Sequence, residues 1–367
     1  MRVVCAPDSF KETLTAPQAA AAMARGAELA GAENECCPVA DGGEGTLEVL
    51  LEAKGGRRLR VPTMDPLGRS IEAEIGYLDD AGLAVVEMAA ACGLGLLKSS
   101  ERDPLRTTSF GAGQLIAIAA READRVLLGV GGTATVDGGC GILQALGARC
   151  LDSIGEPIED PITGGTLSRV TRIEVPAGCP IIEIAADVDV PLLGEHGAAK
   201  LFGPQKGADE ATVEQLEANL LHLADVLDPP GVTRLVRGGG AAGGAAFGLH
   251  ASLDAQIFSG IDLVLDAIRF DDRLENTDIV IVGEGSLDAQ SLHGKASMVT
   301  ARRAAERGIA VVAISGRLGT GWQDCLADNG GPLQDALSLA DHFGTPKAMK
   351  DPTACLQEAT RHIIDIQ

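Results

Sequence analysis

Short apolar segments recur along the chain, each followed by a polar loop that contains glycine or acidic residues. Five of them predict buried strands, at residues 2–6, 125–130, 181–186, 279–282 and 310–314. Their content of Val, Ile, Leu and Ala is typical of parallel strands that helices cover on both faces. In open α/β sheets, ligands bind beyond the carboxyl ends of the strands, so we expect the loops after these strands to form one site.

Other segments have different periods. Thr15 and Gln18 have the spacing of a capping box and predict an alanine-rich helix that runs to about Ala30. Residues 209–227 predict an amphipathic helix, whereas the alternation of charged and apolar residues over 57–90 predicts antiparallel strands. Strands that alternate with helices favour an α/β fold.

Length and composition extend this picture to two domains. The chain has 367 residues, more than the ~100–200 of one domain, and 46% of them are hydrophobic although only seven Phe, one Tyr and one Trp are present. We expect two α/β domains around a cleft, with flavodoxin-like or Rossmann-like sheets. One domain would be discontinuous and comprise residues 1–65 and 275–367, and residues 66–274 would form the inserted domain.

Charge narrows the choice of partners. The formal net charge is −22, from 52 acidic and 30 basic residues without a basic block, so nucleic acids and anionic membranes are poor partner candidates. No apolar stretch approaches the ~20 residues that cross a bilayer, and no signal region precedes the first strand. We therefore expect a cytoplasmic protein whose partners are small molecules, with its oligomeric state left open.

Neither cysteine nor histidine spacing indicates a metal site. The nine cysteines form no C-x-x-C pair and are expected to be small buried hydrophobes in a reducing cytosol. The six histidines have no metal-ligand spacing, so we expect no structural zinc.

The common nucleotide and hydrolase signatures are missing from the sequence. It contains no G-x-x-x-x-G-K-[ST] P-loop, no protein-kinase signature and no G-x-S-x-G elbow. Residues 129–134 fit G-x-G-x-x-[GA] after a strand, but Asp137-Gly138-Gly139 follows where the helix of a dinucleotide fold would run. A dinucleotide site is therefore disfavoured.

Two loops combine acidic residues with glycines. Asp41-Gly42-Gly43-Glu44-Gly45 precedes a helix predicted from about Thr46, and Asp137-Gly138-Gly139 repeats the Asp-Gly-Gly element. Glycines let backbone N–H groups close around an anion at a helix start, and carboxylates can hold Mg²⁺ or accept a hydroxyl proton. The alternative for both loops is a tight turn exposed to solvent.

The other loops also contain candidate site residues. Their basic and hydroxyl side chains can bind phosphate or a carboxylate, and glycines or acids accompany them. These loops contribute Asp8, Ser9 and Lys11; Arg106, Thr107 and Thr108; Gly132 and Thr133; Lys206; and Gly283, Glu284, Asp288 and Lys295. For Lys206, which lies in a glycine-framed segment, the alternative is an ordinary surface position.

Asp187 and Asp189 are the best candidates for a metal site. They lie two residues apart at a strand end and would face the same way in extended chain, where two carboxylates are costly without a cation between them. The glycine run at 238–244 either lines a nucleotide or allows close helix packing, and the sequence leaves both interpretations open.

Six motifs, in their order along the chain, resemble those of the bacterial glycerate kinases. They are Ala6-Pro7-Asp8-Ser9-Phe10-Lys11, Val39-Ala40-Asp41-Gly42-Gly43-Glu44-Gly45-Thr46, Gly131-Gly132-Thr133-Ala134, Asp137-Gly138-Gly139, Gly203-Pro204-Gln205-Lys206-Gly207-Ala208 and Gly283-Glu284-Gly285. The resemblance implies transfer of the γ-phosphoryl group of ATP to a hydroxyl of D-glycerate, with Mg²⁺ as cofactor. It favours 2-phosphoglycerate over 3-phosphoglycerate as the product.

Phosphoryl transfer depends mainly on positioning and on charge neutralisation. For this reaction we expect the ammonium groups of Lys11, Lys206 and Lys295 to meet phosphate or the glycerate carboxylate. We expect Asp41 or Asp288 to accept the hydroxyl proton. Asp187 or Asp189 would hold Mg²⁺.

Three positions depart from the family pattern. Ser286 stands where an arginine is expected in a Gly-Glu-Gly-Arg run, and Val136 and Val190 stand where asparagines are expected. Each change removes a polar group from a predicted site loop and bears on substrate affinity. Three alternatives stay open: a non-catalytic binder of a small phosphorylated acid, a nicotinamide-dependent oxidoreductase, and a kinase of another small hydroxy acid.

Overall fold

The computed structural model describes residues 1–10, 13–79, 82–187 and 189–366. Its strands are β1 (Arg2–Pro7), β2 (Glu33–Cys36), β3 (Gly56–Met64), β4 (Ser70–Leu78), β5 (Leu83–Glu87), β6 (Arg125–Gly129), β7 (Arg149–Leu151), β8 (Arg172–Glu174), β9 (Ile181–Ala186), β10 (Gln256–Ser259), β11 (Ile279–Leu287), β12 (Ala310–Leu318) and β13 (Asp335–Ser338). Its helices are α1 (Ala16–Leu29), α2 (Thr46–Lys54), α3 (Ala89–Cys92), α4 (Phe110–Ala119), α5 (Cys140–Ala145), α6 (Ala198–Phe202), α7 (Glu210–Leu227), α8 (Ala241–Leu253), α9 (Gly260–Ala267), α10 (Phe270–Arg273), α11 (Ala296–Ala305), α12 (Leu339–Phe343), α13 (Thr345–Lys350) and α14 (Pro352–Asp365).

The chain folds into two compact units. Unit 1 comprises Met1–Asp41, Glu48–Ala53 and Ile261–Gln367, and unit 2 comprises Gly42–Leu47 and Lys54–Gly260. Unit 1 is thus discontinuous along the sequence. The predicted domain boundaries lie near residues 65 and 275, whereas the chain passes from one unit to the other within residues 41–54 and at residue 260.

Unit 1 is built on a five-stranded parallel sheet in the order β13-β12-β11-β1-β2. Helices α1 and α14 pack on the face that contains Val3, Cys5 and Ile281, and α11 contacts β11 and β12. The predicted capping box starts α1, because Gln18 N donates to the Thr15 hydroxyl and Thr15 N donates to the Gln18 side chain. The predicted strands that begin at residues 2, 279 and 310 and the predicted helix that follows Thr15 are therefore confirmed.

Strands β11 and β12 extend further than predicted. The prediction ends β11 at Val282 and β12 at Ile314, whereas the two strands stay paired in parallel through Leu287 and Leu318. The glycines that suggested loops do not end these strands, because the hydrogen-bonded ladder between the two continues. As a result, the side chain of Glu284 projects from a strand and not from a loop.

Unit 2 contains a six-stranded mixed sheet in the order β10-β9-β6-β5-β4-β3, with β7 and β8 as a separate pair. Strands β5, β6, β9 and β10 are parallel, and β3 and β4 are antiparallel, which confirms the prediction for residues 57–90. Side chains of this sheet and of α4, α5 and α8 share one apolar core. Asp209 caps α7 by accepting from Thr212 N, so the predicted amphipathic helix is also confirmed.

The glycine run at 238–244 lies against the loop that follows β6. Gly243 has a φ of +66°, and a Cβ atom there would lie 2.1 Å from the carbonyl oxygen of Thr135. Further along α8, a Cβ atom at Gly248 would lie 1.9 Å from the carbonyl oxygen of Gly138. Of the two interpretations of this run, the contacts favour close packing, since only glycine leaves room for the neighbouring backbone.

The cysteines behave largely as predicted. All nine are free thiols, and seven of them are buried. Among the described residues, none of the helices combines the length and the apolar character that crossing a membrane requires.

Candidate functional site

The carboxyl ends of the unit 1 strands bring several predicted site residues to one edge of the sheet. Asp8 N donates to the carbonyl oxygen of Gly283 at 2.9 Å, just beyond the last register pair between β1 and β11, Pro7 and Gly283. Ser9 N donates to the Asp8 carboxylate at 2.6 Å, which fixes this turn. The segment after β2 stays hydrogen-bonded to β1 and leads Asp41 toward the same edge.

Glu284 is the centre of a polar cluster on the face that α11 covers. Its carboxylate is buried and accepts from Lys295 Nζ at 2.8 Å and from Ser297 Oγ at 2.7 Å. Lys295 Nζ also donates to the Ser286 carbonyl oxygen at 2.8 Å and to Ser291 Oγ at 2.7 Å. These acceptors use all three ammonium donors, so a ligand anion would have to replace one of them.

Asp288 caps the short turn Ala289–His293. Its carboxylate accepts from Gln290 N at 3.0 Å, and its own N–H donates to Ser291 Oγ at 3.1 Å. Lys295 Nζ lies 3.9 Å from the same carboxylate. Asp288 therefore shapes the turn that brings Ser291 to the lysine.

Ser286 and Arg317 are register partners on β11 and β12. Arg317 Nε donates to Ser286 Oγ at 3.1 Å, and the side chain of Arg317 is exposed. Ser315 lies two residues before Arg317 and so on the same face of the strand. Its hydroxyl is buried and has no hydrogen-bond partner within the described part of the chain. We refer to Glu284, Ser286, Lys295, Ser315 and Arg317 as the unit 1 cluster.

Unit 2 brings two predicted site loops together around Lys206. The lysine is only 3% exposed, and its Nζ donates to the Thr135 carbonyl oxygen at 2.8 Å and to Thr133 Oγ1 at 3.3 Å. Burial lowers the pKa of Lys206 to about 8, although the charge of Asp137 acts in the opposite direction. The surface alternative for this lysine is wrong, and its ammonium group faces the loop that contains the exposed Gly132.

Asp137 is fully buried and anchors the starts of two helices. Its carboxylate accepts from Ser109 N and from Ser109 Oγ at 2.7 Å, next to α4, and from Gly139 N at 3.1 Å, next to α5. Burial raises the pKa of Asp137, while these hydrogen bonds act to lower it. The carboxylate thus faces protein donors in the interior of unit 2.

The loop at 42–47 is held by Glu87, a residue that the sequence analysis missed. Glu87 Oε1 accepts from Gly45 N at 3.0 Å and from Leu47 N at 2.8 Å, at the start of α2. Burial raises the pKa of Glu87. The anion at this helix start is therefore a side chain of the protein itself. A single acid at the end of the apolar segment Leu83–Glu87 is the sequence signal that could have found it.

The glycines of this loop allow close approach to the strand ends of unit 2. A Cβ atom at Gly129 would lie 2.5 Å from the Gly42 carbonyl oxygen, and one at Gly131 would lie 2.8 Å from the Gly43 Cα. Glu44 is exposed. Backbone packing therefore accounts for the glycine pattern of both segments.

The hydroxyls of the Arg106-Thr107-Thr108 segment are used within unit 2. Thr107 Oγ1 donates to the Ala134 carbonyl oxygen at 3.0 Å, and Thr108 Oγ1 accepts from Phe110 N at 3.2 Å. Both threonines are buried, whereas Arg106 is exposed. Only the arginine of this segment presents a polar group to solvent.

The two metal candidates have different environments. Asp189 is 57% exposed and accepts from Arg237 Nη2 at 2.6 Å, and this hydrogen bond lowers the pKa of Asp189. Asp187 follows β9 directly and is partly buried. No group of three or more His, Cys, Asp and Glu side chains that could hold a metal ion occurs among the described residues. Lys11 lies outside the described residues.

Comparison with known proteins agrees with the fold and the motifs. Residues 3–367 match the family model described as the glycerate kinase family. A glycerate kinase of Halalkalibacterium halodurans is 41% identical over 98% of this chain and 97% of the relative. A glycerate 2-kinase of Escherichia coli strain K12 is 40% identical over 87% of this chain and 86% of the relative.

A solved structure has the same fold. The crystal structure of a Salmonella typhimurium LT2 protein assigned to glycerate kinase 2 covers 100% of this chain and 98% of its own, with a TM-score of 0.83 and 36% sequence identity. The predictions of an α/β fold and of a phosphotransferase that acts on glycerate are confirmed. By its motifs, its fold and a match that spans nearly its whole length, the chain belongs to the glycerate kinase family.

Proposed function

We propose that this member of the glycerate kinase family transfers the γ-phosphoryl group of ATP to O2 of D-glycerate. The observation that carries the proposal is the unit 1 cluster, in which a buried carboxylate holds a lysine at the ligand-binding edge of a parallel sheet. The E. coli relative bears the name glycerate 2-kinase, which supports O2 as the acceptor. Because ATP is the phosphoryl donor, we also propose a cytoplasmic location.

The lysines have different proposed tasks. Lys295 is held by Glu284 and Ser291 and is partly exposed, so its ammonium group can exchange one acceptor for a phosphate or carboxylate oxygen. Lys206 is buried and orients Thr133. We propose that it holds the phosphate-binding loop after β6 in shape and gives this loop a positive charge. Each ammonium group would neutralise the charge of a phosphate or carboxylate bound in its own unit.

Asp41 is our choice for the general base. Asp288 carries a structural task, since its carboxylate caps the turn that presents Ser291. Asp41 ends the segment that follows β2 and is partly buried at the carboxyl edge of the sheet. A carboxylate there can accept the proton of the glycerate hydroxyl as the new O–P bond forms.

The donor set of the chain fits Mg²⁺ that arrives with ATP. Mg²⁺ is usually bound through one or two carboxylates together with substrate phosphates and water, so a cage of three protein ligands is not needed. Of the two predicted ligands we favour Asp187, because it follows β9 directly at the carboxyl end of the unit 2 sheet and is partly buried, whereas Asp189 is largely exposed. When bound, the metal would neutralise phosphate charge.

Phosphorus NMR of the reaction tests this function. The protein is incubated with ATP and D-glycerate, with Mg²⁺ or with EDTA in its place, and the expected product is 2-phosphoglycerate in the Mg²⁺ sample alone. Formation of 3-phosphoglycerate would contradict O2 as the acceptor, and full turnover in EDTA would contradict the metal requirement. Binding without any product would favour the non-catalytic binder, and turnover of another hydroxy acid alone would favour the third alternative.

A further inference from the structure

The departure at Ser286 has a structural counterpart on the neighbouring strand. The resemblance to the glycerate kinases leads us to expect an arginine at this position, and the chain has a serine there. Its register partner on β12 is Arg317, whose Nε donates to Ser286 Oγ at 3.1 Å. The guanidinium missing from β11 is thus present one strand away, at the same level of the sheet.

The two positions also share a face of the sheet. Residues that are register partners in parallel strands point to the same side, and side chains two residues apart along a strand do so as well. Ser286 therefore lies on the face of Glu284, and Arg317 lies on the face of Ser315. This is the face on which Lys295 and Ser297 contact the Glu284 carboxylate.

Arg317 forms no ion pair with the residues that the structure describes. Within the described part of the chain, no carboxylate lies within 4.0 Å of its guanidinium, and its hydrogen bond to Ser286 uses Nε alone. The chain has a net charge of −22, and its arginines are mostly paired with acids, as Arg303 is with Asp271. A guanidinium that keeps its terminal N–H groups exposed at the ligand-binding edge suits an anionic ligand, since the planar fork matches carboxylate and phosphate oxygens.

A second feature of the same face points to a ligand. The Ser315 hydroxyl is 1% exposed and has no hydrogen-bond partner among the residues described. Buried hydroxyl groups usually have a partner, and Ser315 pairs in register with Glu284 and precedes Arg317 by two residues. A polar atom of a bound molecule at this edge would satisfy it.

We propose that Arg317 binds the anionic group of a substrate and replaces, from β12, the arginine that the family pattern places on β11. This inference rests on the proposed function. The ligand group is an oxyanion, either the carboxylate of glycerate or a phosphate of ATP. Ser286 acts as a positioning residue, because its hydroxyl fixes Nε and leaves the terminal N–H groups for the ligand.

Steady-state kinetics of the full chain test the proposal. Arg317→Ala is compared with wild type while glycerate is varied at saturating ATP and while ATP is varied at saturating glycerate. Loss of a charge-assisted hydrogen bond should raise one KM by about 10-fold or more, with a smaller effect on kcat. A rise in the KM for glycerate identifies the carboxylate, and a rise in the KM for ATP identifies the phosphate. Unchanged KM values for both substrates would overturn the proposal.

An exchange variant tests the replacement itself. Arg317→Ser should raise the same KM as Arg317→Ala does. The double variant Ser286→Arg/Arg317→Ser should bring this KM most of the way back to the wild-type value. A double variant as weak as Arg317→Ser, with an unchanged far-UV CD spectrum and melting temperature, would overturn the interchange of the two positions.

A matched control removes a similar charge elsewhere in unit 1. Arg25 is exposed on α1 and pairs with Glu28 three residues on, so Arg25→Ala should leave both KM values unchanged. An equal rise in Arg25→Ala would mean that net charge, and not position 317, sets the affinity. Wild type must turn over glycerate in the same assay. Failure of wild type to do so would count against the proposed function. Normal turnover by wild type, with unchanged KM values in Arg317→Ala, would count against this inference alone.

Discussion

At the residue scale, Asp41 and Asp288 are carboxylates of the same unit at different places in its fold, since Asp41 ends the segment after β2 and Asp288 follows β11. Asp288 accepts from Gln290 N and lies 3.9 Å from Lys295 Nζ, so its charge is committed to the turn. The sequence predicts both residues as candidate bases, because each is an acid close to glycines in a predicted loop. It could not show that β11 continues through Leu287 and makes Asp288 the cap of a turn.

Replacing Asp41 by Asn tests its role as the base. The amide is nearly isosteric but cannot accept the hydroxyl proton, so we expect kcat to fall at least ~10²-fold while the melting temperature stays close to that of wild type. Asp288→Asn is the comparison, with a smaller loss of kcat. The reverse order of the two variants would assign the base to Asp288.

The lowered pKa of Lys206 makes the free energy of unfolding depend on pH. Its pKa is about 8 in the folded protein against 10.5 as the ordinary value, so the unfolded chain binds more protons between these two pH values. The free energy of unfolding therefore rises with pH across this window. Below pH 8 both states are protonated, and the cost of burying the charge is present in full.

This dependence can be isolated by comparison with Lys206→Met. Between about pH 8 and pH 10.5, urea unfolding should show wild type gaining on the order of 3 kcal/mol relative to the variant. The comparison cancels the titration of buried thiols such as Cys5 and Cys37, whose pKa values burial raises. A constant difference between the two proteins over this range would show that burial does not perturb Lys206.

At the element scale, the strands, α1 and α7 follow from apolar periodicity and capping residues, which are local signals. The start of α2 does not, because the anion that holds it is Glu87 from a distant strand. The glycines at 42 and 43 suggest an anion-binding loop in the sequence, yet in the fold they lie against Gly129 and Gly131. A glycine pattern does not distinguish backbone–ligand from backbone–backbone approach until the partner strands are known.

The packing of α8 on the loop after β6 leads to a stability prediction. Gly248→Ala would place a Cβ atom 1.9 Å from the Gly138 carbonyl oxygen, so the helix and the loop must separate. We expect a loss of about 1–3 kcal/mol in the free energy of unfolding, measured by urea denaturation. Gly95→Ala, where a Cβ atom meets nothing within 4 Å, is the control and should change it far less. Equal effects of both substitutions would refute the packing argument.

At the scale of the whole molecule, charge is the dominant property. With 52 acidic and 30 basic residues, the compact state carries a self-repulsion that salt screens. The same composition gave a correct expectation of an α/β fold with an aliphatic core. Composition could not indicate which basic side chains lie near the site. Their positions depend on how the strands pair, as with Arg317 on β12 beside Ser286 on β11.

Salt should accordingly stabilise this protein at neutral pH. Raising NaCl from about 10 mM to about 300 mM at pH 7 should raise the melting temperature by a few degrees, as measured by calorimetry. Near the isoelectric point of about 4.6, the net repulsion vanishes and the gain should disappear. A melting temperature that falls with salt at pH 7 would show that the surface ion pairs outweigh the net charge.

The register pairing of Ser286 with Arg317 also bears on how such a site changes over evolution. Two of the six serine codons differ from an arginine codon by one base, so a serine encoded by either of these two gains a guanidinium in a single mutation. A lineage that passes through arginine at both positions keeps the charge at every step. The proposed interchange predicts that the two positions change together, so a comparison that scores each column of an alignment alone would record a lost residue where the cation had moved to the next strand.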